Sequence, residues 1–99
     1  MDIDQEEFVI FAELKRGHFD EIRQEAQKRY TKVQYGSQGD DWIWLHYDDD
    51  KIEIDSFYSM ELEMKGSKNK QHFADEILSW MQPEWIITKF EPPKIDMTR

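Results

Sequence analysis

The segment DDWIWLHYDDDKIEIDSF, residues 40 to 57, restricts the fold more than any other stretch of the chain. Bulky apolar and polar side chains alternate on both sides of three consecutive aspartates, and a period of two marks extended chain whose side chains point to opposite sheet faces. Aspartate tolerates turn geometry, so Asp48, Asp49 and Asp50 read as the tip of an antiparallel hairpin. The first half is unusual in offering apolar groups to both faces: Trp42 and Trp44 to one, Ile43 and Leu45 to the other.

The elements around this hairpin follow from periodicity. Residues 7 to 15, EFVIFAELK, form a short apolar run of the kind a strand buried on both faces carries. After a turn at Lys15-Arg16-Gly17, Phe19, Ile22, Ala26 and Tyr30 recur every three or four residues, which places one apolar stripe along a helix. Asp20 and Glu21 suit the positive end of its dipole, Lys28 and Arg29 the negative end. From Lys32 the period becomes two, through Val33 and Tyr35, a Gly36-Ser37-Gln38-Gly39 interruption read as a bulge or bend, and on to Tyr47. The tract from Ile52 to Met64, with Tyr58 and Met60 among its even-numbered apolar residues, reads as one half-buried strand. Ser67 or Asn69 is placed to cap a second helix whose Phe73, Ala74, Ile77, Trp80 and Met81 share a face and which Pro83 ends. Trp85 to Phe90 supplies the last strand.

The order β-α-β-β-α-β predicts a two-layer α+β fold of ferredoxin-like shape, an antiparallel sheet in strand order 4-1-3-2 with both helices on one face. Ninety-nine residues suffice for one core. Residues 1 to 91 form a single domain in this reading, and Pro92-Pro93 opens a polar tail, 92 to 99, unsuited to a strand ladder.

A sheet covered by helices on one side meets water on the other unless something else lies there. A four-residue loop, Asp48 to Lys51, pairs Tyr47 with Ile52 and gathers Ile43, Leu45, Tyr47, Ile52 and Ile54 beneath the helices. Trp42, Trp44 and His46 then share the outer face with Glu53, Asp55 and Phe57; a three-residue loop reverses the first strand. Either way an edge strand turns three large groups outward, and Val9 or Phe11 and Trp85 or Ile87 are placed to join them. Apolar patches of that size mark interfaces. The candidate covers are a second copy of the chain, a different protein, a small ligand, or the chain's own tail through Ile95 and Met97.

Charge narrows the partner. The chain carries a net charge of minus nine, with four acids in residues 1 to 7 and seven in residues 40 to 55 against Lys51 alone. Such acidity repels a phosphate backbone and attracts basic surfaces, and the aromatic base-stacking signature of RNA-recognition domains is missing, so nucleic acid is set aside. The three aspartates break the pattern of a calcium-binding loop at Ile52, and His18, His46 and His72 lack zinc spacing; no metal or cofactor is called for. Glu53 and Asp55 lie two apart on one face, yet general acid-base work needs a cleft that a flat face does not promise, and Ser56 and Ser59 lack a nucleophile elbow. No cysteine, no secretory leader and no long apolar run point to the cytoplasm.

The leading expectation is a small acidic, non-catalytic protein-binding module (an inhibitor, immunity-type antagonist or adaptor) acting through Trp42, Trp44, His46, Asp48, Asp49, Asp50, Glu53, Asp55 and Phe57. The alternatives are a homodimeric ligand-binding protein or enzyme with a cavity between facing sheets, and a monomer covered by its own tail.

Overall fold

The computed structural model describes residues 7 to 97, so most of the acidic run over residues 1 to 7 lies outside the described residues. In chain order the elements are β1 (Phe8–Leu14), α1 (Phe19–Arg29), β2 (Lys32–Gly36), β3 (Trp42–Tyr47), β4 (Asp50–Asp55), β5 (Leu62–Ser67), α2 (Gln71–Trp80) and β6 (Ile86–Ile95). The six strands form one sheet in the order β2-β3-β4-β5-β1-β6, each antiparallel to its neighbours.

The α+β class and the two helices agree with the sequence reading; the four-stranded ferredoxin-like order does not. Each of the two long expected strands is folded back on itself. Val33 to Tyr47 is a hairpin, with Gly36 opposite Trp42 and Lys32 opposite His46, because Gly36 to Gly39 reverses the chain instead of bending it. Gly39 takes φ +85°, a left-handed conformation that glycine enters without steric cost. Ile52 to Met64 is likewise interrupted between β4 and β5. There the Phe57 N–H donates to Asp55 Oδ1 at 3.3 Å and the Glu61 N–H to Ser59 Oγ at 3.2 Å, so side chains take over from the ladder. As a result β3 is an inner strand, not an edge; the edges are β2 and β6.

The hairpin tip is tighter than expected. Asp48 and Asp49 alone make the turn, and Asp50 is already paired with Tyr47 in the ladder. Asp48 sits at φ +55°, which aspartate tolerates better than most side chains. The register therefore moves by two residues, pairing Leu45 with Ile52 and Ile43 with Ile54, and an even shift leaves every side chain on its expected face.

Ile43, Leu45, Ile52, Ile54, Leu62 and Met64 are fully buried in one cluster with Ile22 and Ala26 of α1 and Phe73, Ala74 and Ile77 of α2. Each such aliphatic side chain contributes roughly 1.5–3 kcal/mol by leaving water. At the end of α1, the Tyr30 hydroxyl donates to Glu76 Oε2 at 2.8 Å and accepts from Trp80 Nε1 at 3.1 Å, tying the two helices together. Neither Ser67 nor Asn69 caps α2, which is entered through a 3-10 turn, Lys68–Lys70, with no side-chain cap.

β1 explains how one strand is buried on both faces. Its register slips between Ile10 and Ala12, so Phe11 is an extra residue. Val9, Phe11, Ala12 and Leu14 enter the helix-side core, as does Trp85, while Ile10 is buried outside that cluster, opposite Lys65. Of the residues placed to join the outer face, Val9 or Phe11 and Trp85 or Ile87, the first three lie in the core and Ile87 is exposed.

The chain also continues past Pro92-Pro93 as strand: β6 pairs Lys94 with Ile10 and Ile95 with Val9, after a break in register that absorbs the two prolines. These residues extend the sheet in its own plane, and Ile95 (51%) and Met97 (84%) remain exposed. Among the described residues no helix is long and apolar enough to cross a membrane.

Candidate functional site

Strand alternation on β3 places Trp42, Trp44 and His46 on the sheet face away from the helices, while Ile43 and Leu45 between them are fully buried. The two indoles pack together with centroids 5.0 Å apart at 50°. Gly36, directly across from Trp42, makes room for this: a Cβ there would stand 2.5 Å from Trp42 Nε1. Trp44 faces Gln34 on one side and Glu53 on the other. The Lys51 ammonium lies 4.0 Å from the centre of the Trp44 ring and 3.3 Å from Glu53 Oε2, joining a cation–π contact to an ion pair. Both indoles are half-buried, so the face is less bare than its sequence implies.

The middle of this face is ionic. Lys65 and Asp55 are each 1% exposed and joined Nζ to Oδ1 at 3.0 Å, with Glu63 Oε1 at 3.6 Å and the Tyr58 ring 5.1 Å from the ammonium. Burial pushes the Asp55 carboxyl above its ordinary value of 3.8, with Lys65 pulling the other way. Asp55 Oδ2 and Trp44 Nε1 have no hydrogen-bond partner among the described residues.

The remaining expected contacts divide. His46 bonds Gln34 Oε1 at 2.9 Å, and burial together with Lys32 and Lys51 lowers its pKa below 6.5. Asp48 and Asp49 project from the tip, exposed. Asp50 turns back to meet Lys70 Nζ at 2.7 Å and His72 Nε2 at 2.8 Å beside the start of α2, bonds that hold its carboxyl below 3.8. Asp55 is an internal ion partner, not an accessible surface acid. Phe57 is exposed in the β4–β5 connection, where Tyr58 (64%) and Met60 (86%) stand out further.

Tyr58 and Met60 are the residues that sequence reasoning missed, having placed them on the core side of an unbroken strand. The signal was present: Asp55 and Ser59 are side chains that bond the backbone two residues on and interrupt a ladder. This connection is anchored. The Ser56 N–H donates to the Asp41 carbonyl and the Asp41 N–H to Ser56 Oγ, each at 3.0 Å. Arg16 bridges Asp41 Oδ2 at 2.8 Å, and its own N–H donates to Glu61 Oε1 at 2.9 Å.

A groove of about 370 Å³ lies elsewhere, between Val9, Lys68, Gln71, Pro92 and Ile95. Among the described residues no three or more histidine, aspartate or glutamate side chains are grouped to hold a metal ion. No protein-family model, curated protein or solved structure matches this chain.

Proposed function

We propose that this chain is a small acidic, non-catalytic binding module that engages a partner protein through the outer sheet face, as an inhibitor, immunity-type antagonist or adaptor does. The observation that carries this reading is the paired indoles of Trp42 and Trp44 on an inner strand, with the exposed Tyr58 over Lys65 on the same face and Met60 exposed in the adjoining β4–β5 connection. Aromatic anchors dominate binding energy where they are rigid and centrally placed, and a strand hydrogen-bonded on both sides holds them rigid before the partner arrives. Asp48 and Asp49 add a negative tip at the turn end of the same hairpin, which steers a basic partner.

Capture from a host extract on the immobilised protein tests the proposal when surface variants are compared. The expected result is a partner retained by the wild type and by Gln24→Ala on α1, and lost with Tyr58→Ser/Met60→Ser and with Trp42→Ala, all folded by circular dichroism. Capture indifferent to those outer-face changes overturns the reading. A stable dimer of the pure protein in light scattering favours the homodimer instead.

A further inference from the structure

We infer that Trp42 is where this face receives a cationic side chain, arginine or lysine, from its partner; the inference rests on the protein-binding reading above and names the partner's chemistry. The protein places cations over five of its surface rings among the described residues. Arg23 lies 4.9 Å from the centre of Tyr35, Arg29 5.2 Å from Trp80, Lys51 4.0 Å from Trp44, Lys65 5.1 Å from Tyr58 and Lys94 5.3 Å from Phe90. Of the other exposed rings, Tyr47 packs against Tyr30 and Phe73, and Phe57, in the β4–β5 connection, has no cation over it among the described residues. Trp42 is a half-buried indole, the best ring for such a contact, with no cation over it among the described residues.

The two cations already on this face show what holds one there. Lys51 sits on Trp44 and meets Glu53, and Lys65 sits under Tyr58 and meets Asp55, so a ring and a carboxylate act together each time. Trp42 has the ring, fixed against Trp44 and Gly36, and it follows Asp40, which is exposed in the bend that leads into β3. Asp41 is already taken by Arg16. A second copy of the chain is a poor donor, because it brings 22 acids against 13 bases, and a phosphate backbone brings the wrong sign. A basic protein surface supplies what fits.

The test needs no identified partner. An acetylated and amidated Arg-Gly-Arg-Gly-Arg peptide is titrated into the 15N-labelled protein beside its citrulline counterpart, which keeps shape and loses charge. The four indole N–H resonances are assigned with Trp42→Phe. The expected result is a shift of the Trp42 indole resonance with the arginine peptide alone, and an affinity about two- to fivefold weaker in Trp42→Leu. Equal responses to both peptides, or arginine-peptide binding unchanged in Trp42→Leu, overturns the inference; the peptide comparison on the wild type keeps it falsifiable if that variant does not fold. A captured partner that needs Tyr58 and Met60 but tolerates Trp42→Leu and chemical blocking of its own arginines and lysines leaves the protein-binding reading standing and removes this one.

Discussion

Lys65 is as well buried as the core leucines, yet it lies on the sheet face opposite them, and its charge is met by Asp55, Glu63 and the Tyr58 ring. Lys65→Met leaves a buried carboxylate without its counter-charge and is expected to cost about 3–5 kcal/mol in urea unfolding at neutral pH. The pH dependence has a definite sign. Burial already holds Asp55 above 3.8, so the folded state binds its proton more tightly than the unfolded state, and losing Lys65 raises that pKa further. The variant's deficit should therefore narrow as pH falls through the raised value toward 3.8; a deficit equal at pH 7 and pH 4.5 contradicts the account. Asp50 behaves oppositely. Lys70 and His72 depress its pKa, so its contribution is complete above 3.8 and is lost as pH falls through the lower folded value. Asp50→Asn should cost about 1–2 kcal/mol at pH 7 and almost nothing at pH 2, measured by the same denaturation. Alternation alone places Lys65 on the wet face among Glu53, Asp55 and Glu63. Its burial was not legible, because it depends on Tyr58 leaving the strand line to cover it.

The elements were visible in the sequence as tendencies to be helix or strand, but the chain reversals were not. Period two reports which face a side chain takes and is blind to a strand doubling back with that alternation intact. Val33 to Tyr47 and Ile52 to Met64 therefore each read as one strand, which gives four strands where the sheet has six. Face assignment in the aspartate hairpin survived because its register moved by an even number of residues. The sharper clue at the first reversal was Gly36, which stands across from the bulkiest side chain of β3. Gly36→Ala sets a methyl 2.5 Å from the Trp42 indole nitrogen, so the ring has to move away from Trp44 or strain the hairpin. Overpacking of this kind is expected to cost about 1–3 kcal/mol and to alter tryptophan emission in the native state. An unchanged urea midpoint and spectrum would show that Trp42 is not seated on that glycine. Keeping β3 inside the sheet also shields its aromatic strand from edge pairing, with the short β2 presenting Lys32 and Gln34 instead.

At the scale of the whole molecule, the net charge of minus nine acts through distance as well as contact. Asp48 and Asp49 stand at the end of the β3–β4 hairpin, exposed, whereas the third aspartate of the run is spent on α2. Only two of the three tip charges therefore face outward, on the same hairpin as Trp42 and Trp44. Attraction between such a tip and a basic partner raises the rate of encounter more than it strengthens the finished complex. Asp48→Asn/Asp49→Asn should slow association with the captured partner several-fold at low salt while leaving dissociation nearly unchanged. Stability should hardly move, because both side chains are exposed and asparagine also tolerates the left-handed conformation that position 48 adopts. Screening lengths fall from about 10 Å at 0.1 M salt to about 3 Å at 1 M, so the rate difference between variant and wild type should disappear in concentrated salt. Stopped-flow or surface-based kinetics across that range decide the matter. A slower association that persists at 1 M, or a faster dissociation, places the aspartates inside the contact itself, and the division of labour between an aromatic anchor and an acidic guide then fails.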